Sequence, residues 1–448
     1  MDIIAQLQCL EQVLDKTTLR RLGRIAGALL AMTGRVTMLG ISRWTGPGGS
    51  YRTVQRFFNT VIPWCQLQWL LLRDHVLGND EDDIWLVVGD ETVVTKAGKE
   101  TYGLDRFFSS IYGRPVPGLS FFSFSLVSVK RRRSYPMLLE QYVKPDEPHA
   151  PSRTGRKPKQ PATPKTKRKR GRPKGSKNKN RREVELSAQL LHVQGMLRKL
   201  LALVGVSIPL TYCVLDGAFG NNAAVQMVRQ CGLHLISKLR HDAALYFPYA
   251  GPYGGRGPHK KYGAKLDYAH LPQEHLQETT IEDNIRTDIY QMPMWHKLFA
   301  DKLNVVVVVQ TNLKSGARAH VVLFSNDLGL AYDKLIDYYR LRFQIEFNFR
   351  DAKQYWGLED FMNVKRTPVH NAANLAMFMV NVAQVLLLHF RQHNPYFSVN
   401  DLKAHYRGRK YVTETLKFLP QKPEPIIIDQ IFASIAVMGS VNAQFSSA

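Results

Sequence analysis

The chain has 448 residues, 44% apolar content and a formal net charge of +24, enough to bury a sizeable core and to fill roughly two to four domains. That balance excludes a wholly disordered chain and points to a polyanionic partner, either nucleic acid or an anionic membrane surface. Residues 151–182 alone hold 15 Lys or Arg and no acid, so the basicity is concentrated in one segment. The four cysteines, Cys9, Cys65, Cys213 and Cys231, show no CxxC or Cys/His metal spacing, which argues for a reducing compartment and against a zinc site.

Residues 1–75 read as helical, through Leu7, Leu10 and Leu14 and then Leu22, Ile25, Leu29 and Leu30. The opening MDIIAQLQCLEQVLDK lacks the basic and then apolar regions of a secretion signal, so a cytoplasmic location is expected. Residues 36–42, a WTGPGG turn at 44–49 and Ser50 as N-cap of a helix over 51–59 make a helix, turn, helix pattern. Its second helix carries Arg52, Gln55, Arg56 and Asn59, side chains that reach base edges and phosphates from a major groove. An ordinary helical hairpin with solvated polar residues fits the same pattern.

Residues 84–88, IWLVV, form a buried-strand run that places Asp90 at or just past its carboxyl end. Strands over 121–130 and 135–143 follow as an antiparallel meander. The basic segment then combines dense like charge with Pro151, Pro158, Pro161, Pro164 and Pro173, which makes a packed core implausible there and disorder without DNA the expectation. Within it Lys169 to Gly175, KRGRPKG, resembles an AT-hook: Arg170, Arg172 and Lys174 would seek the negative potential of a narrow A·T-rich minor groove. A generic polybasic linker is the alternative.

Helical periodicity returns over 182–204, and a second buried strand, LTYCVL at 210–215, ends in Asp216 before a turn and a helix over 222–230. Asp216 thus repeats the setting of Asp90. A strand over 234–246, a turn-rich stretch over 247–257, short polar strands over 260–290 and strong strands at 304–310 and 320–324 follow. This block is too long for a loop, and part of it reads as a β-rich insertion.

Residues 332–356 contain no Pro or Gly and read as one long helix. At 100° per residue Tyr339, Arg342, Glu346 and Lys353 fall on one narrow face, among apolar neighbours. Charges in such a setting must be paired, hydrated or metal-bound. The run 372–390 is apolar, but Asn374, Asn381 and Gln384 interrupt it, so it reads as a buried core helix rather than a membrane span. From 396 to 448 no chemistry is evident.

The spacing Tyr-x2-Arg-x3-Glu-x6-Lys at Tyr339, Arg342, Glu346 and Lys353 resembles the YREK signature of DDE transposases from bacterial insertion sequences, the insertion-sequence-four superfamily. With Asp90 and Asp216 upstream the resemblance spans the chain. Three carboxylates brought together repel by about 4 kcal/mol per ionised pair at 4 Å. Oxygen-only ligands suit Mg²⁺ or Mn²⁺, and two such ions roughly 3.5–4 Å apart serve in-line displacement at a phosphodiester.

The resemblance implies an α/β fold with an RNase H-like catalytic core interrupted by a β-rich insertion, and metal ligation by Asp90, Asp216 and Glu346 as catalytic residues. It implies contacts from Tyr339, Arg342 and Lys353 to DNA near the scissile phosphate, and a tryptophan of the insertion stacking on a flipped base. Trp295 is the tryptophan in question, unless it is a packed core aromatic. The expected division is a helical, DNA-binding 1–80; core parts at 81–148, 184–247 and 313–395; the basic insert at 149–183; the insertion at 248–312; and a C-terminal region, 396–448. The expected activity is cut-and-paste transposition on double-stranded DNA by a homodimer in the bacterial cytoplasm, at the nucleoid, with a hairpin intermediate open by resemblance. The rivals are a non-catalytic, domesticated or decayed DNA-binding protein and a nuclease or resolvase that cuts without strand transfer. Glu91 is a further ligand candidate, although strand alternation would turn it away from Asp90.

Overall fold

The computed structural model describes residues 3–78, 82–109, 113–144, 180–205, 207–255, 257–421, 423–436, 438–439 and 441. Short polar side chains start the early helices: Asp15 accepts from the N–H groups of Thr17 and Thr18, Thr37 from that of Gly40, and Ser50 from that of Thr53, satisfying donors that a first turn leaves free. The α-helices of this region are α1 (Ile3–Gln6), α2 (Lys16–Ala31), α3 (Met38–Trp44), α4 (Tyr51–Asn59) and α5 (Trp64–Leu72). Val54, Phe57 and Phe58 bury one face of α4, which leaves Arg52, Gln55, Arg56 and Asn59 exposed.

The centre is a mixed sheet. Its strands are β1 (Trp85–Thr95), β2 (Asp105–Ser109), β3 (Arg114–Ser128), β4 (Arg133–Tyr142), β5 (Leu210–Leu215), β6 (His234–Leu239), β7 (Leu245–Pro248), β8 (Tyr262–Lys265), β9 (Leu276–Glu282), β10 (Ile285–His296), β11 (Leu303–Asn312) and β12 (Arg318–Ser325). They run in the order β2-β3-β1-β5-β6-β12-β11-β10-β7-β8, with β4 beside β3 and β9 beside β10. The strands β1, β5 and β6 are parallel to one another, while β3 and β4 join antiparallel. The β-rich stretch expected as an insertion extends this same sheet, since β11 pairs with β12 and β12 with β6.

Three expectations need correction. The strand before Asp90 does not end there: β1 continues to Thr95 because its second half pairs with β3, Asp90 opposite Ser123. The strand expected over 234–246 is two, β6 and β7, separated by a turn in which Ala243 donates to the Arg240 carbonyl. The long helix expected over 332–356 is also two, α8 (Tyr332–Leu341) and α9 (Gln344–Trp356). At the break the bonds tighten to i→i+3, with Arg342 donating to Tyr339, Phe343 to Arg340 and Glu346 to Phe343.

The helices α6 (Ala188–Val204) and α7 (Asn222–Arg229) flank β5 in sequence. After α9 come α10 (Arg366–Phe390), α11 (Val399–Leu416) and α12 (Pro425–Ala436). α10 is long and apolar enough to cross a membrane, but 78% of its most apolar window is buried inside the protein. Its polar residues bond inward: Asn371 accepts from the Trp64 indole (2.8 Å) and donates to the carbonyls of Phe58 (2.8 Å) and Thr60 (2.7 Å). Asn381 donates to Gln68 (2.6 Å) and the Pro136 carbonyl (2.7 Å), and Gln384 to the Ser134 carbonyl (3.0 Å). The amide nitrogens are thus satisfied, while the Asn381 Oδ1 and Gln384 Oε1 atoms are buried without a hydrogen-bond partner; the bonds made tie α10 to α5 and β4.

α9 is fixed at both ends. Asn348 donates to Ser134 Oγ at 2.7 Å and Ser125 Oγ at 3.3 Å. Gly357 closes the helix at φ +78°, with Val36 so near that a Cβ would overlap it, so both backbone and space call for glycine there.

Candidate active site

Parallel pairing of β1 with β5 runs Val87 to Cys213, Val88 to Val214 and Gly89 to Leu215. Asp90 follows Gly89 on β1 and Asp216 follows Leu215 just past the end of β5, so the register brings the two to the same end of neighbouring strands. Gly89 leaves the space beside it to neighbouring side chains: a Cβ there would lie 2.7 Å from Leu215 Cδ2 and 2.8 Å from Phe124 Cε1. Asp216 turns the chain out of β5, its carboxylate accepting from the Ala218 N–H at 3.2 Å and its carbonyl from Ser237 Oγ at 2.7 Å. Both aspartates line a cavity of about 230 Å³ together with Glu91, Ser187, Leu190 and Asn221.

Arg342 supplies the link to the third carboxylate. From the break between α8 and α9 it donates through Nη1 to Asp90 Oδ2 at 2.6 Å and through Nη2 to Glu346 Oε1 at 2.9 Å. The other oxygen of Asp90 accepts from the Glu91 N–H at 2.8 Å. Arg342 is 15% and Asp90 18% exposed, so water screens the pair only in part. Burial pushes the Asp90 carboxyl up to about 6; Arg342 and the Glu91 N–H pull against it, and the charges of Asp216 and Glu346 push with it. Burial also raises the Tyr339 hydroxyl, helped by Asp216 and Asp90 and opposed by the charge and a hydrogen bond of Arg342, so Asp90, Asp216, Tyr339, Arg342 and Glu346 share one electrostatic neighbourhood.

The family model described as DDE superfamily endonuclease matches residues 9–296 of this chain. The chain belongs to that family. No curated protein matches it. The matched span contains both aspartates of this DDE endonuclease and ends before α8 and α9, so Arg342 and Glu346 enter the site on structural grounds.

The remaining sequence candidates fall in different places. Lys353 lies on α9 but turns to Glu359 (3.0 Å) and the Val93 carbonyl (3.2 Å), away from the carboxylates. Arg52 and Arg56 stand on the exposed face of α4. Trp295, on β10, has the ammonium groups of Lys261 and Lys302 at 5.3 and 5.8 Å from its ring, and lines a second cavity of about 570 Å³ with Arg182, Arg229 and Asn222. Glu91 accepts from Ser120 Oγ at 2.5 Å. The AT-hook-like Arg170, Arg172 and Lys174 lie outside the described residues.

Sequence reasoning missed Arg342 as the bridge between carboxylates; the i,i+4 spacing to Glu346 was the available signal. Ser187 and Asn221 were missed as cavity residues. Asn221 follows Asp216 within the DGAFGN turn and caps α7 by accepting from the Ala224 N–H.

Among the described residues no three His, Cys, Asp or Glu side chains stand close enough to share one metal ion; the positive charge between Asp90 and Glu346 is the guanidinium. The donor set nevertheless fits a hard divalent cation, since it offers carboxylate oxygens only and two of its members face one cavity.

Proposed function

We propose that this DDE endonuclease is a DNA transposase of the insertion-sequence-four type, which excises and integrates its element by phosphodiester hydrolysis and strand transfer. The observation that carries the reading is the β1–β5 register with Asp90 and Asp216 at the same end of neighbouring strands and with Glu346 tied to Asp90 through Arg342. The antiparallel β4, β3 and β1 continuing into the parallel β5 and β6 support an RNase H-like core. The capped, exposed face of α4 supports a DNA-binding role for the N-terminal helices, and the division into domains given above belongs to the same proposal.

In this reading Asp90, Asp216 and Glu346 would hold divalent ions, Mg²⁺ or Mn²⁺, two in number. When bound, such ions activate the attacking oxygen and stabilise the leaving one. The chain's own part is positional. The register and the Asn348 anchor fix the carboxylates, while Tyr339 and Arg342 would hold backbone phosphates by charge and hydrogen bonding, and Lys353 would join them only on leaving Glu359 and the Val93 carbonyl. Trp295 with its two lysines offers a base a stacking face. Both element ends must be held at once, so a homodimer on double-stranded DNA is expected, at the nucleoid of a bacterial cytoplasm.

The test is cleavage of labelled DNA carrying the gene's own flanks, in Mg²⁺, Mn²⁺ or EDTA. Metal-dependent cutting at the ends by the wild type, lost in Glu346→Gln and Asp216→Asn, is the expected result. Full cutting by either variant overturns the catalytic assignment, and cutting without joined products makes the chain a nuclease only.

A further inference from the structure

Arg342 occupies an unusual position for a residue whose proposed task is to hold DNA. Its guanidinium is mostly buried, and two of its nitrogens are spent on Asp90 and Glu346. Asp90 in consequence has one oxygen facing a guanidinium and the other accepting a backbone N–H. A divalent cation approaching these carboxylates meets a positive charge already in place, and Coulomb repulsion in a partly desolvated setting is strong. The same pairing relieves the repulsion among the three carboxylates while no other cation is present.

Two further observations favour exchange of this pose. Arg342 Nε is buried and makes no hydrogen bond, so the guanidinium leaves a donor unsatisfied, a cost that a native contact rarely carries. A phosphate would accept from Nε and a terminal nitrogen together, in the bidentate geometry that suits arginine. Arg342 also sits at the break between α8 and α9, where a small change of backbone angle re-aims a side chain without breaking a regular helix.

Resting on the transposase reading, we infer that Arg342 is an exchangeable cation that closes the carboxylate site in the DNA-free protein and opens it when a backbone phosphate draws the guanidinium away. Metal and DNA are then coupled ligands: each favours the arrangement in which Arg342 has left the carboxylates, and each raises the affinity for the other by the same factor. The free enzyme is thereby kept from assembling a nuclease centre before it holds a substrate. Arg342 acts here as a positioning residue, through its effect on Asp90 and Glu346.

The test measures Mn²⁺ binding by the loss of the free-ion electron paramagnetic resonance signal, using the full chain, with folding checked by circular dichroism. Without DNA, Arg342→Gln should bind Mn²⁺ tighter than wild type by on the order of tenfold, within the range usual for coupled sites. A duplex of the gene's own flank should raise the wild-type affinity by a similar factor, and Arg342→Gln should show little further gain. Arg342→Lys, whose ammonium cannot span both carboxylates, serves if Arg342→Gln does not fold. Equal or weaker Mn²⁺ binding by the variants, or a wild-type affinity that DNA leaves unchanged, overturns the inference while the transposase reading stands. Undiminished binding by both Asp216→Asn and Glu346→Gln instead removes the metal site on which that reading depends.

Discussion

Replacing Asp90 with Asn removes a charge while preserving its shape, and so reports the net of burial against the Arg342 and neighbouring charges at that carboxylate. Its pKa stands at about 6 against an ordinary 3.8, and the difference corresponds to about 3 kcal/mol. The sign follows from proton counts: between about pH 4 and 6 the folded chain holds a proton that the unfolded chain has released, so stability falls as pH rises. The contribution is fully present below the unfolded value and lost once pH has passed the folded one. Urea unfolding of wild type and Asp90→Asn in EDTA, from about pH 4 to 8, should therefore show the variant gaining up to about 3 kcal/mol relative to wild type, with most of the change before pH 7. The residual exposure of Asp90 makes this an upper figure. A constant difference across the range, or a relative gain by wild type as pH rises, would refute the reasoning by showing that Arg342 outweighs burial.

Asn371→Ala removes the acceptor of the Trp64 indole and the donor to two carbonyls in a fully buried setting. It should lower unfolding free energy by about 3–4.5 kcal/mol, at roughly 1–1.5 for each of the three bonds, read from the urea midpoint at unchanged slope. Deleting residues 151–182 should flatten the dependence of DNA affinity on salt, because each Lys or Arg that neutralises a phosphate adds to that slope. An unchanged slope in a titration series would mean that these charges do not touch DNA.

Much of the site's frame was readable from local signals. Apolar runs announced β1 and β5, Ser50 announced the start of α4, and both strands delivered aspartates where a turn or polar residue interrupts them. The amide-bearing α10 was readable as a core helix because Asn374, Asn381 and Gln384 would be costly in lipid. The break after Leu341 was not readable. Apolar periodicity continues across it, no Pro or Gly marks it, and Arg342 meets a carboxylate 252 residues away in sequence. The extension of β1 beyond Asp90 was hidden for the same reason, since pairing with β3 fixes it and the alternation of Asp90, Glu91 and Thr92 does not resemble a buried run. The position of Lys353 depends on Glu359 and the Val93 carbonyl, partners that a helical wheel does not include.

The bonds from Asn371 and Asn381 to α4, α5 and the segment between them bear on modularity. The N-terminal helices are sealed to α10 by its amides, over 300 residues downstream, and removing them would leave those amides and a broad apolar surface facing water. This head therefore cannot be exchanged between relatives like a detachable reading module. On the proposed function, in which the outer face of α4 reads DNA, a shift of preferred ends would have to be made residue by residue on that face, under the constraint that the inner face continue to fit α10.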